Sequence, residues 1–76
     1  MPIAYVLIDA EIGKIEELVR ALRKVGGVAE AYSVAGPHDI VVKVQADRFE
    51  QVAEIVTKEI HKLPGISNTL TLFAFE

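Results

Sequence analysis

His38 and Asp39 stand side by side in the stretch AGPHDIVVKV, a Gly-Pro turn set between two strongly apolar runs. A turn that only reverses the chain needs a Gly or an Asn, so a titratable pair there raises the question of what it faces. Gly36 frees the backbone and permits close approach of a ligand, and Pro37 stiffens the turn. Asp39 can accept from an ammonium and His38 can donate to a carboxylate; a free amino acid carries both groups. The bland alternative is that Asp39 bonds nearby backbone amides while His38 decorates a solvated loop. Thr69 and Thr71 add two hydroxyls on one face of an apolar strand. Ordinary β-propensity accounts for Thr there, and two aligned hydroxyls can also bind a polar ligand.

Other chemistries lack their residues. Nucleophilic catalysis needs a hydroxyl or thiol beside a base that a third group orients. No Gly-x-Ser-x-Gly occurs, and sequence neighbours on a strand point to opposite faces, so His38 and Asp39 do not readily orient one another. His61, flanked by Lys58 and Lys62, reads as a solvated helix-end residue suited to the C-terminal dipole rather than as a metal ligand. With no Cys and only 2 His, neither disulfides nor a zinc site is expected. Dinucleotide and phosphate-loop motifs are absent, so no cofactor is expected. The 8 basic residues are scattered among 11 acidic ones for a net charge of -3, which counts against a direct nucleic-acid surface. No apolar run approaches the roughly 18 residues of a membrane span, and Met1-Pro2-Ile3 enters a strand without a basic leader. A cytoplasmic location is expected.

The positioning elements follow from the apolar periods. Ile3 to Ala10 is apolar almost throughout and reads as a strand covered on both faces. In EIGKIEELVRALRKVGG, Ile12, Ile15, Leu18, Val19, Leu22 and Val25 fall on one helical stripe, with acids early, bases late and Gly26-Gly27 as the stop. Val28 to Ala35 alternates, with Val28, Tyr32 and Val34 on one face and Ala29, Ala31 and Ser33 on the other. After Gly36-Pro37 a second strand runs through Ala46, placing Ile40, Val42 and Val44 opposite Val41, Lys43 and Gln45, so the two strands form a hairpin. Asp47 with Glu50 predicts a capping box, and Phe49, Val52, Ala53, Val56, Ile60 and Leu63 predict a second helix. Ile66 to Phe75 is the last strand, with Ile66, Asn68, Leu70 and Leu72 opposite Ser67, Thr69, Thr71, Phe73 and Phe75.

The order β-α-β-β-α-β predicts a single α+β domain over 1–76, a ferredoxin-like sandwich with a four-stranded antiparallel sheet and both helices on one face. A chain of 76 residues removes only about 60% of its unfolded surface from water. Strands apolar on both sides leave the bare face as an exposed patch, so face-to-face dimerisation is expected.

The motifs AGPHDIVVKV and KLPGISNTLTLF, in this layout, resemble the C-terminal regulatory (RAM) domain of the leucine-responsive and asparagine regulators, the Lrp/AsnC family. The resemblance spans essentially the whole chain. It implies a dimer of the α/β-barrel type that assembles further, to an octamer or decamer, with an amino-acid effector bound between dimers near the hairpin turn. Carried over by position, Gly36, His38 and Asp39 match the ligand loop, and Thr69 and Thr71 match a Thr-x-Thr strand. His38 stands where the family commonly has Tyr or Phe. Full-length members carry an N-terminal helix-turn-helix that this chain lacks, so it resembles the stand-alone form, non-enzymatic and able to co-assemble with full-length relatives. Dimeric α/β barrels also include small monooxygenases and isomerases, which would need polar groups converging between sheet and helices. A third reading is a structural interaction module with an empty loop.

Overall fold

The computed structural model describes residues 1–75; Glu76, the last residue of the expected domain, lies outside them. Four strands, β1 (Ile3–Ala10), β2 (Val28–Ser33), β3 (Ile40–Gln45) and β4 (Ile66–Ala74), form one antiparallel sheet in the order β2-β3-β1-β4. Helix α1 (Ile15–Arg23) links β1 to β2, and α2 (Phe49–Glu54) links β3 to β4, as the ferredoxin-like plan requires. The α2 segment continues as a π-helix over Ile55–Ile60, marked by the His61 N–H donating to the Val56 carbonyl at 3.1 Å.

The core lies between the sheet and the helices. Ala4, Val6 and Ile8 of β1 and Ile40, Val42 and Val44 of β3 meet Leu18 and Leu22 of α1 and Val52, Val56 and Ile60 of the second helical stretch, and all are buried. Each fully buried Val, Leu or Ile contributes about 1.5–3 kcal/mol relative to exposure. Arg23 ties α1 to β2: its Nε and Nη2 donate to the Ala31 carbonyl at 3.0 and 2.8 Å, and its guanidinium lies 5.9 Å from the Tyr32 ring centre.

The alternation expected in β3 holds, with Ile40, Val42 and Val44 buried. Two bulges overturn the expected faces elsewhere. In β2 the register slips between Val28 and Glu30, so Val28 pairs with Val44 and packs against the core while Tyr32 stays on the open face. In the β1–β4 pair the slip at Asp9/Ala10 sets Asn68 opposite Asp9 but Ile66 opposite Ala10, so Ile66 joins the core side rather than the face of Leu70 and Leu72. Ile12 leaves the predicted stripe altogether. It is fully exposed, because a turn closed by Lys14 N–H to the Glu11 carbonyl (3.0 Å) delays α1 until Ile15. The second helix is capped one residue later than expected, by the Arg48 N–H donating to Gln51 Oε1 at 3.1 Å in place of an Asp47–Glu50 box.

Among the described residues no helix covers the sheet's other face. Tyr5 (39% exposed), Leu70 (47%) and Leu72 (50%) lie there beside Leu7 and Val41. Toward β2 the patch becomes polar, with Lys43 3.8 Å from Glu30 and the Tyr32 hydroxyl donating to Glu30 at 3.0 Å. That bond and the Glu30 charge raise the Tyr32 pKa.

Gly27 locks the α1–β2 corner to the π-helical stretch. Its φ is +95°, and a Cβ there would collide with Ile55 Cδ1. Gly27→Ala is expected to lower stability by about 1–2 kcal/mol from the left-handed backbone alone, before Ile55 is displaced. Urea unfolding of wild type and variant checks this; equal midpoints would refute the strain.

Candidate functional site

The hairpin end of the sheet is built by Asp39. Beyond the pair Ile8–Ile40 the β1–β3 ladder stops, yet β1 continues to Ala10. Asp39 bridges the gap: its N–H donates to the Ile8 carbonyl at 3.0 Å, and its Oδ2 accepts the Ala10 N–H at 2.9 Å. Its carbonyl accepts the Val34 N–H at 2.8 Å, closing the connection from β2. Asp39 thus bonds a backbone amide, but one on a neighbouring strand rather than in its own turn. Gly36 adopts φ +141°, and a Cβ there would meet nothing within 4 Å, so the turn is open on that side. Among the described residues, the Gly36 and His38 N–H groups have no hydrogen-bond partner.

His38 is held by a residue that the sequence did not single out. Its Nδ1 lies 3.0 Å from Asp9 Oδ1, with the two side chains 26% and 31% exposed. The donor expected for a ligand's carboxylate is therefore engaged within the chain. The available signal was that Asp9 is the one charged residue in the strand IAYVLIDA.

Thr69 and Thr71 do not join this cluster in a single protomer. The register sets them opposite Ile8 and Val6, on the helix-side face, whereas Asp9 alternates onto the face of Leu7 and Tyr5. Thr69 also lies two strands from Ile40, a span of roughly 9–10 Å. Its Oγ1 is 3.2 Å from His61 Nε2, so His61 is an exposed helix-end residue with a hydroxyl partner.

A groove of about 750 Å³ lies elsewhere. It is lined by Gly27, Gln45, Gln51, Ile55 and Lys58 among others, at the end of β3 away from the hairpin. It is shallow, and Gly36, His38 and Asp39 do not line it. Between sheet and helices the fully buried residues among those described are all aliphatic. Among those residues no three His, Cys, Asp or Glu side chains gather as metal ligands, and no helix is long and apolar enough to cross a membrane.

Four antiparallel strands with both helices on one face define a small ferredoxin-like domain, with its other face bare and its hairpin turn open. Residues 3–76 match the profile of the Lrp/AsnC ligand binding domain, and the chain belongs to that family. It is 36% identical over 75 residues to an uncharacterised HTH-type transcriptional regulator of Pyrococcus furiosus, covering 95% of this chain and 50% of the relative. The chain spans about half the length of the curated relatives it matches. A crystal structure of TTHA0845 from Thermus thermophilus superposes with a TM-score of 0.92 at 38% identity, covering 100% of this chain and 95% of that one. A Neisseria meningitidis transcriptional regulator solved as an L-Met complex shares the fold, with a TM-score of 0.83 at 13% identity over 99% of this chain and 50% of that one.

The geometry separates two roles of Asp39. Asp39→Ala strands the Ala10 N–H and is expected to cost about 1–2 kcal/mol, whereas Asp39→Asn keeps an acceptor and loses less than about half of that. Urea midpoints of the two variants measure the difference; an Asp39→Ala midpoint equal to wild type would show that the bond contributes nothing.

Proposed function

We propose that the chain is a non-enzymatic cytoplasmic module that binds a free amino acid or similar small metabolite and couples it to self-assembly. The observation that carries this reading is the open turn of a ligand-binding-domain family member, offering Gly36 and His38 N–H groups without partners among the described residues, beside the Asp39 carboxylate. Backbone N–H groups suit an α-carboxylate, and the second oxygen of Asp39 suits an α-ammonium. The L-Met complex of the distant Neisseria regulator supports an amino acid as the ligand class. The apolar open face, with Tyr5, Leu70 and Leu72 exposed, suits a homodimer of the α/β-barrel type. Dimers then associate into an octamer or decamer, with the hairpin ends at the contacts. In such an assembly Thr69 and Thr71 reach the ligand only from a neighbouring copy. Ligand shifts the assembly only through tighter affinity for one state than another. The kinship with HTH-type regulators makes full-length relatives the fitting protein partners, and their transcription the fitting output.

A thermal-shift screen of the twenty amino acids tests the binding step. Ligand at a hundred times its Kd adds about 2.7 kcal/mol per site, a rise of several degrees for a domain this small. Wild type should respond selectively, and Asp39→Asn, which keeps the Ala10 bond but not the charge, should not. If no amino acid raises the midpoint of the folded protein, the effector reading fails.

A further inference from the structure

The His38–Asp9 pair says which donors and acceptors the hairpin has left for a ligand, an inference that rests on the effector reading of this site. A carboxylate has no proton to give, so the 3.0 Å contact assigns the proton of a neutral His38 to Nδ1. Free imidazole in water favours the opposite tautomer, so Asp9 imposes this one. Nε2 is then a bare acceptor, and among the described residues it has no partner.

The surroundings add negative charge. Asp9 and Asp39 flank His38, and Glu11 follows β1. From β4, Ser67 donates its hydroxyl to the Asp9 carbonyl at 3.0 Å and Asn68 pairs opposite Asp9, both without charge. Lys14 packs near Gly65, where its ammonium lies 3.7 Å from Glu17. Among the described residues no other cation on the neighbouring segments pairs with the His38 ring or with Asp9.

We propose that Asp9 is a specificity-determining positioning residue of the hairpin site: by holding the Nδ1–H of the neutral His38 imidazole it leaves Nε2 of that form as an acceptor, so the site selects an amino acid whose side chain donates a hydrogen bond. With the α-ammonium at Asp39 and the α-carboxylate at the turn N–H groups, this selection requires the side chain to meet Nε2. Amide and cationic side chains satisfy it. A second carboxylate meets a lone pair and two like charges.

Isosteric pairs give the cleanest test. Titration calorimetry with L-glutamine against L-glutamate and L-asparagine against L-aspartate, at a pH where imidazole is neutral, should show the better-fitting amide binding about tenfold or more tighter than its acid. L-lysine and L-arginine should also outrank both acids. In parallel, nitrogen-15 NMR of the imidazole should show Nδ1 protonated in wild type and in Asp9→Asn, whose amide oxygen still accepts, and the Nε2–H form in Asp9→Ala. The amide-over-acid preference should narrow in Asp9→Ala while the fold persists. An Nε2–H tautomer in wild type, an acid binding as well as its amide, or tightest binding by an aliphatic amino acid overturns the proposal and leaves the effector reading standing. Binding by none of the twenty overturns both.

Discussion

One layer of helices can cover only one face of a β-sheet, and β1, one of the two central strands of this sheet, is apolar on both. Ala4, Val6 and Ile8 of β1 are fully buried beneath the helices, while Tyr5 and Leu7 alternate onto the bare side. β1 lies between β3 and β4, so its neighbours extend both surfaces: Val42 and Thr71 flank Val6 on one, Val41 and Leu70 flank Leu7 on the other. The burial that stabilises the monomer therefore also sets the composition of the uncovered face. The polar fringe at Glu30, Lys43 and Tyr32 confines the apolar area to the β1–β4 side.

The same strand builds the site. β1 outruns its ladder with β3, and the backbone group left over at Ala10 is satisfied by the Asp39 side chain. One residue earlier, Asp9 emerges on the open-face side and takes His38. The hairpin is thereby fixed to the sheet by two carboxylates that exchange partners across the strand end: β1's Asp9 holds the hairpin's histidine, and the hairpin's Asp39 holds β1's amide. This leaves the turn itself, around Gly36, unencumbered.

Much of this was legible in the sequence, because strands and helices announce themselves by period. The order of elements, the core face of β3 and the doubly apolar β1 all follow from where Ile, Val and Leu recur. What escaped were features that change phase without changing composition. A bulge inserts one residue and flips the face, which moved Val28 and Ile66 to the core side. Ile12 fits the stripe of α1 by spacing, but the turn from Glu11 to Lys14 precedes the helix. At the site, Gly36, His38 and Asp39 do share one loop, whereas the pairing of His38 with Asp9 joins residues 29 apart and has no local signature. The spacing of Thr69 and Thr71 gave their common face, and only the strand order shows that this face is turned from Asp9.

The claim on which the rest depends is that a second copy covers the open face. Native mass spectrometry of the full chain at low micromolar concentration tests it most directly. Dimers and whole multiples of dimers, with little free monomer, are the expected species. A folded protein that remains monomeric under those conditions would contradict it, leaving Tyr5, Leu70 and Leu72 as a surface without a partner copy.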